Sequence, residues 1–241
     1  WDTHWYIRLY LYTPERKMTQ TATNSRALIP EANLDFDAIV IGAGVAGLYQ
    51  LYRLRNLGMR VQLFEAGTGV GGTWYWNRYP GARFDSESYS YGYSFSQELV
   101  DEWDWSEHFA SQPEILRYLQ HVADKFDLYK DIQFSSEVKS ATYRDDTRSW
   151  EIQLQDGSRF KCRFLITGIG LLSQPTLPKI PGIDSFKGQS FHTSRWPHES
   201  VSYSGKRVAV IGTGATGVQT IQEVCKDVGH LTVFQRRPNW C

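Results

Sequence analysis

The chain has 241 residues, which is enough for one large domain or two small ones. Its 26 basic and 26 acidic residues balance, and no apolar run approaches the ~18 residues of a membrane span, so the composition gives no sign of a nucleic-acid or membrane partner. The three cysteines, Cys162, Cys225 and Cys241, lack the close spacing of zinc or dithiol sites, so we expect a reduced, cytoplasmic protein without a metal.

The N-terminal segment differs from the rest of the chain. It begins with Trp1, whereas Met18 opens a polar stretch that would suit the start of a protein. We expect residues 1–34 to be a disordered leader and interpret residues 1–17 as upstream translation or a foreign segment. A genuine aromatic extension is the alternative for residues 1–17.

The next segment has the pattern of a dinucleotide-binding unit. An apolar run at 36–41 predicts a buried strand, the glycine-rich turn 42–47 follows at once, and 45–57 has helical character. A second strand is predicted at 60–64, and it ends at Glu65. This order of strand, glycine turn, helix and strand makes the glycine motif credible.

Each position of the turn has a physical role. Gly42 permits the tight turn, Gly44 lets the backbone approach a pyrophosphate, and Gly47 lets the helix pack close to the strand. The helix N-terminus offers free N–H groups to the phosphates. Glu65 stands where a carboxylate would accept hydrogen bonds from ribose hydroxyls.

A long glycine-rich and aromatic stretch at 67–85 comes next. It is too irregular to predict a helix or a strand, and long structureless loops inside a domain are usually functional. Gly71 and Gly72 would let the chain pass close to a cofactor, with Trp74 and Trp76 packing beside it. A packed surface loop is the alternative.

The middle of the chain predicts a helix followed by strands. Ser111 to Glu114 has the pattern of a capping box with a proline in the first turn, opening a helix to about Phe126. Beyond it we predict a small antiparallel meander inserted into the first nucleotide domain, with strands at 132–134, 137–143, 150–154 and 159–166. Prolines from 175 to 181 then mark an extended crossover.

A second nucleotide unit begins near residue 206. A strand at 206–211, the turn 212–217 and a strand at 231–234 repeat the first pattern. Gln235 occupies the position that matches Glu65, and two arginines, Arg236 and Arg237, follow it. Since arginines bind a 2′-phosphate by charge-assisted hydrogen bonds, we expect NADP(H) here; a solvated arginine pair is the alternative.

The segment between the two units carries a longer motif. Residues 186–197 fit the pattern F-x-G-x-x-x-H-x-x-x-W-P, with its fixed positions at Phe186, Gly188, His192, Trp196 and Pro197. From about Asp35 to Trp240 the chain resembles type I Baeyer–Villiger monooxygenases, whose signature this is. Residues 74–83 and 111–117 also resemble stretches of that family.

The resemblance implies an α/β fold with two Rossmann-like units. It would place an FAD-binding domain with an inserted meander at 35–170, a linker at 171–204, and the start of a truncated NADP-binding domain at 205–241. In such enzymes a hydride passes from NADPH to the flavin, and O2 then gives a C4a-peroxyflavin. This species attacks a ketone and yields an ester or lactone.

The resemblance also assigns site residues. Asp85 would orient a catalytic arginine located beyond Cys241, so we expect weak or no turnover from this chain alone, while His192 would act in the linker and not as a general base. The implied FAD contacts are Gly42, Ala43, Gly44, Gly47, Glu65, Gly72, Thr73, Trp74, Trp76, Asp85, Tyr91 and Val138. The implied NADP contacts are Arg83, Phe84, Asp85, Gly212, Thr213, Gly214, Ala215, Thr216, Gly217, Arg236 and Arg237.

Two other functions compete with this hypothesis. A flavin monooxygenase that oxidises nitrogen or sulfur has the same build, although its linker normally lacks the Trp196-Pro197 ending. The second alternative is that the chain is a non-catalytic nucleotide-binding fragment of such an enzyme. A flavin disulfide reductase is disfavoured because the chain lacks a closely spaced pair of cysteines.

Overall fold

The computed structural model describes residues 33–238, which belong to a single compact region. The predicted start at Met18 and nearly all of the predicted leader lie outside the described residues. The described residues form a mixed α/β structure with a six-stranded sheet and a separate two-stranded sheet. No described helix is long and apolar enough to span a membrane.

The elements follow the predicted order. The strands are β1 (Phe36–Ile41), β2 (Val61–Phe64), β3 (Ile132–Gln133), β4 (Val138–Arg144), β5 (Ser149–Leu154), β6 (Arg159–Thr167), β7 (Arg207–Ile211) and β8 (His230–Phe234). The α-helices are α1 (Val45–Asn56), α2 (Thr73–Trp76), α3 (Ser88–Tyr91), α4 (Gln97–Glu102), α5 (Gln112–Lys125) and α6 (Ala215–Val224). Short 3₁₀ turns occur at Tyr129–Asp131, Ile183–Ser185 and Thr193–Arg195.

The six-stranded sheet joins a parallel half to an antiparallel half. Its strand order is β3-β2-β1-β6-β5-β4, with parallel pairing from β3 to β6 and antiparallel pairing from β6 to β4. The long strand β6 links the halves, because Cys162 pairs both with Phe36 of β1 and with Trp150 of β5. The meander therefore continues the parallel sheet.

One predicted strand lies elsewhere than expected. The prediction grouped 132–134 with the antiparallel meander, and this is wrong, because β3 pairs in parallel with β2, Ile132 standing opposite Leu63. Strand type depends on the partner strand, and a two-residue strand has too few side chains to indicate that partner. The turn between β5 and β6 lies at Asp156-Gly157.

The core of the first unit packs between the sheet and its helices. Ala38 and Val40 at the centre of β1 are fully buried, as are Leu48 and Leu51 on α1. On α5 one apolar face is inside, with Ile115, Leu119 and Val122 buried and Phe126 partly buried next to it.

Two local predictions were wrong. The side chain of Ser111 caps no N–H group of α5; instead the Glu114 carboxylate accepts hydrogen bonds from the Ser106 amide at 2.8 Å and its hydroxyl at 2.6 Å. The stretch 67–85, predicted to contain no helix, includes α2. This single turn starts after Gly72, whose φ of +52° is a conformation that glycine adopts readily.

The second unit is smaller and more open. β7 and β8 pair in parallel, with α6 between them in the chain, as the sequence predicted. The second unit contacts the first through α6: the Tyr79 hydroxyl donates to Oε1 of Gln219 at 2.9 Å, and Nε2 of Gln219 donates to the Arg83 carbonyl at 3.2 Å.

Candidate nucleotide sites

A cavity of about 700 Å³ opens where β1 and β2 end and the glycine turn begins. This volume lies within the usual range for ligand pockets. Among the residues that line it are most of those predicted to contact FAD, namely Gly42, Gly44, Glu65, Gly72, Thr73, Trp74, Trp76, Tyr91 and Val138. Of the others predicted, Ala43, Gly47 and Asp85 do not line it.

The glycines of the turn are required by close backbone contacts. A Cβ atom on Gly47 would lie 1.8 Å from the carbonyl oxygen of Gly42, and Gly42 itself has a φ of +97°. A Cβ atom on Gly72 would lie 2.7 Å from the Cα atom of Gly44. The 67–72 loop thus closes against the turn, and this second reason for Gly44 was not foreseen.

The N-terminus of α1 forms one wall of the cavity. Gly44, Val45 and Ala46 line the cavity, and the first N–H groups of a helix have no acceptor within the helix. No side chain caps α1 and no acidic residue lies in its first turn. These N–H groups and the positive end of the helix dipole therefore suit a phosphate.

Glu65 is buried at the edge of the same cavity. One carboxylate oxygen accepts the N–H of Ala43 and the other accepts the N–H of Gly67, both at 2.7 Å. A carboxylate has about four acceptor positions, so capacity for ribose hydroxyls remains. Ala43 contributes to the site by holding this carboxylate in place.

Aromatic side chains form the opposite wall. The indole N–H of Trp74 donates to the Tyr91 hydroxyl at 2.9 Å, and the ring of Phe84 lies 4.0 Å from that of Tyr91. Burial raises the pKa of Tyr91, and the hydrogen bond from Trp74 opposes this rise. Phe84, predicted to contact NADP, is buried behind this wall as a whole residue, and its N–H group donates to the Ala110 carbonyl.

Several lining residues were not predicted. Gly168 touches the glycine turn, since a Cβ atom on Gly42 would lie 2.6 Å from its carbonyl oxygen, and the glycines after β6 were the available signal. Arg195 also lines the cavity, and its guanidinium carbon lies 4.9 Å from the centre of the Trp76 ring. Position 195 is a variable position of the F-x-G-x-x-x-H-x-x-x-W-P pattern at 186–197, which we call the fingerprint, so the motif could not indicate it. Gly71, predicted to pass close to a cofactor, also lines the cavity. The remaining unpredicted residues are Ile41, Val45, Ala46, Phe64, Ala66, Asn77, Ser136, Glu137, Thr167, Ile169, Gly170, Leu172, Ser173 and Gln174.

The fixed positions of the fingerprint shape the linker. A Cβ atom on Gly188 would lie 2.6 Å from the Phe186 ring, and the Trp196 ring packs 5.3 Å from that of Phe191. Nδ1 of His192 accepts the Ser194 amide at 3.2 Å and so caps the turn Thr193–Arg195. Pro197 lines a second cavity of about 320 Å³ in the linker. In this arrangement His192 has a structural role.

The second glycine turn has the same backbone path in a more open setting. Gly212 has a φ of +106°, and a Cβ atom on Gly217 would lie 2.4 Å from the Gly212 carbonyl oxygen. Gln235 donates to the Thr213 hydroxyl oxygen at 3.1 Å. The predicted contacts in this turn are Gly212, Thr213, Gly214, Ala215, Thr216 and Gly217, and the exposed Arg236 and Arg237 lie just beyond β8.

Two other predicted residues lie where the units meet. Arg83 forms an ion pair with Glu107 at 3.1 Å, and its backbone is bonded to Gln219 of α6. Asp85 is exposed; burial raises the pKa of Tyr79, and the negative charge of Asp85 adds to that rise. Within residues 33–238, no three His, Cys, Asp or Glu side chains come together as a metal site.

Comparison with known proteins gives consistent matches. A family model described as flavin-binding monooxygenase-like matches residues 37–241. The chain is 50% identical over 204 residues to the acetone monooxygenase (methyl acetate-forming) of Gordonia sp. (strain TY-5), covering 85% of this chain and 38% of the relative. It is 49% identical over 215 residues to the phenazine N-monooxygenase PhzNO1 of Lysobacter antibioticus, covering 89% and 40%.

A solved structure agrees with these relatives. The crystal structure of the OTEMO complex with FAD and NADP matches with a TM-score of 0.83 and 53% identity, over 86% of this chain and 40% of that one. The chain therefore spans about two fifths of the length of the proteins it matches. Because the family model covers most of the sequence, the chain belongs to the flavin-binding monooxygenase-like family.

Proposed function

We propose that the chain forms the FAD site and the start of the NADPH site of a Baeyer–Villiger monooxygenase. The observation that carries this proposal is the cavity of about 700 Å³, whose walls combine the glycine turn, the N-terminus of α1, Glu65 and the indole rings of Trp74 and Trp76. A dinucleotide needs this set of groups, because its phosphates, riboses and flat rings require different surroundings.

The residues present fit FAD. The N-terminus of α1 would bind the diphosphate, Glu65 would accept hydrogen bonds from a ribose, and Trp74 would pack near the ring system. When bound, FAD would take a hydride from NADPH and activate O2. One ketone, O2, NADPH and a proton would give an ester or lactone, water and NADP⁺.

The second turn fits NADPH in the same way. Its backbone path repeats that of the first, and α6 lacks both a side-chain cap and an acidic residue in its first turn. Arg236 and Arg237 lie at the end of β8 as candidates for a 2′-phosphate. Gln219 would hold this unit against the first, whose loop at 79–83 it contacts.

Oxidation of a ring nitrogen is a second candidate, because the phenazine N-monooxygenase is nearly as similar to the chain as the acetone monooxygenase. Oxygen insertion next to a ketone is preferred since the fingerprint 186–197 is complete. We also propose a cytoplasmic location, which is supported by the free thiols of Cys162 and Cys225.

The purified 241-residue chain would test both candidates. We expect it to retain FAD through gel filtration, as measured by visible absorbance, and to bind NADP more tightly than NAD in calorimetry. NADPH oxidation would then be followed with cyclohexanone and, separately, with phenazine, and products identified by mass spectrometry. Loss of all flavin on gel filtration would contradict the proposal.

The products separate the remaining functions. A lactone from cyclohexanone would support the Baeyer–Villiger proposal, whereas an N-oxide from phenazine without lactone would favour the second candidate. Retention of FAD with neither product would favour a nucleotide-binding chain without catalysis of its own.

A further inference from the structure

Arg195 is the side-chain cation of the first cavity. Of the residues that line this cavity, those with charged side chains are Glu65, Glu137 and Arg195. A dinucleotide brings a diphosphate with negative charge into a site that already contains two carboxylates. The cavity therefore needs a positive group beyond the α1 N-terminus, and Arg195 is the described side chain that supplies one.

The Arg195 side chain is held in place by its surroundings. The guanidinium group lies over the Trp76 ring, and it donates hydrogen bonds to the carbonyl oxygens of Ser194 at 2.8 Å and Ser173 at 2.9 Å. Within residues 33–238 it forms no ion pair. Since a guanidinium has five N–H donors, donors remain for a ligand.

The position of Trp76 shows which end of the cavity Arg195 faces. A Cβ atom on Gly67 would lie 3.2 Å from the Trp76 ring and 3.1 Å from the Glu65 carboxylate. Arg195, which lies over this indole, is therefore near the Glu65 end, where the ribose and diphosphate of a dinucleotide would lie. A planar guanidinium is well suited to phosphate oxygens.

The backbone before Arg195 is fixed by the fingerprint. His192 caps the turn Thr193–Arg195 through its Nδ1 atom, which also accepts from the Ser194 hydroxyl at 2.8 Å. Trp196 packs against Phe191 immediately after the turn. His192 and Trp196, which are fixed in the motif, thus hold Arg195, which is at a variable position, beside the cavity.

We propose that Arg195 is a ligand-binding residue of the first nucleotide site, supplied by the linker, that contacts the diphosphate of the dinucleotide. The inference rests on the proposed function, because it requires a dinucleotide in this cavity. It has a structural consequence: an occupied first site would hold the linker that leads to the second unit, whose first strand, β7, begins at Arg207.

Binding measurements on the 241-residue chain test the proposal with FAD, ADP and adenosine as probes. Arg195→Met should raise the Kd for FAD and for ADP about tenfold, while the Kd for adenosine, which lacks phosphates, stays unchanged. Arg195→Lys should lose less, because it keeps the charge. Arg53→Met is the matched control, since Arg53 is exposed on α1 away from the cavity lining.

The outcomes separate this inference from the proposed function. If the unaltered chain retains FAD and Arg195→Met binds FAD and ADP equally well, Arg195 only holds the linker and the inference is wrong while the proposed function stands. An equal loss for adenosine would also overturn the phosphate contact. Failure of the unaltered chain to bind FAD would overturn both. Circular dichroism of each variant checks that it is folded.

Hydrogen exchange gives an independent measure of the linker. Addition of FAD should slow amide exchange in residues 186–197 of the unaltered chain, and Arg195→Met should remove most of that slowing. The same FAD-dependent slowing in Arg195→Met, at saturating FAD, would show that Arg195 does not connect the ligand to the linker.

Discussion

The two nucleotide units have the same turn in different surroundings. The first glycine of each turn has a positive φ, +97° at Gly42 and +106° at Gly212. In the first unit the turn also touches Gly72 and Gly168, whereas a Cβ atom on Gly214 in the second would have no neighbour within 4 Å. The backbone path is thus independent of how far the turn is enclosed.

The strands that lead into the two turns also differ in burial, with β1 more buried than β7. β1 buries Ile39 and Val40 completely, while Ile211 at the end of β7 is 62% exposed. Within residues 33–238, the enclosing walls of the first site come from the distant segments 71–77, 136–138 and 167–174, and also from Tyr91 and Arg195. A glycine-rich turn motif therefore specifies a local turn, whereas the shape of the ligand cavity depends on chain segments far from it.

The greatest loss of stability is predicted for an alanine at the third glycine of each turn, and it should be greater in the more tightly packed first turn. Gly47→Ala places a Cβ atom 1.8 Å from the Gly42 carbonyl oxygen, where neighbouring strands on both sides of β1 restrict any backbone shift. We expect its free energy of unfolding to fall by about 3 kcal/mol, and less in Gly217→Ala, where the clash is at 2.4 Å in a more open unit. Urea denaturation followed by tryptophan fluorescence measures both.

Gly214→Ala is the control for this pair of variants. Its φ is −69° and the added Cβ atom meets no neighbour, so its free energy of unfolding should stay within about 0.5 kcal/mol of the unaltered chain. If Gly47→Ala were as stable as Gly214→Ala, the close contact in the first turn would not contribute to stability and the comparison would fail.

The next largest loss of stability is predicted at the residue that follows the second strand of the first unit, Glu65. Glu65→Gln leaves one of the N–H groups of Ala43 and Gly67 without an acceptor, and this should cost about 1–3 kcal/mol of unfolding free energy because the site is buried. FAD affinity should fall with it. Gln235→Glu is the matched change in the second unit, where exposure predicts unchanged stability.

Gln235→Glu should nevertheless weaken NADP binding, because it places a carboxylate next to the expected 2′-phosphate. Calorimetry with NADP and NAD measures this effect alongside the denaturation curves. Equal losses of stability in Glu65→Gln and Gln235→Glu would show that burial does not distinguish the two positions.

Most of the secondary structure could be predicted because the signals are local. In each unit an apolar run leads directly into glycines, and the predicted strands and the helices α1 and α5 lie within a residue or so of the observed ones. The short helices α2, α3 and α4 were not predicted. The partner of β3, the contact of Glu114 with Ser106 and the approach of Gly72 to Gly44 could not be predicted, since each depends on where a distant segment lies.

The site residues divide in the same way into those with a local signal, which could be predicted, and those that depend on distant segments, which could not. Most of the residues that motif and composition identified in the glycine turn and at 72–76 do meet at one cavity. Arg195 was missed because the fingerprint leaves its position variable. Its place at the cavity results from the capped turn that starts at His192 and from the ring of Trp76.

The arginines after β8 give a smaller effect that is confined to the second site. Replacing both Arg236 and Arg237 by alanine should raise the Kd for NADP about tenfold, which is about 1.4 kcal/mol, because both side chains are exposed and screened by salt. Affinities for NAD and for FAD should not change. A parallel loss of NAD affinity, measured by the same calorimetry, would show that these arginines do not recognise the 2′-phosphate.

The smallest expected effect compares one cysteine from each unit. Cys162 is buried on β6 and Cys225 is exposed after α6. Iodoacetamide at pH 8, with each cysteine followed by peptide mass spectrometry, should label Cys225 within minutes and Cys162 only as fast as the chain unfolds. Equal rates would mean that the sheet opens near Cys162 as easily as the surface near Cys225.

The same pair predicts a pH dependence. Burial raises the pKa of Cys162 to about 11, so the folded chain holds this proton more tightly than the unfolded chain, whose thiol has a pKa of about 8.5. The resulting stability is complete below pH ~8.5 and is lost as pH rises towards about 11. Urea midpoints measured from pH 8 to 11 should therefore decrease less steeply in Cys162→Ala than in the unaltered chain, whereas Cys225→Ala should not alter the slope.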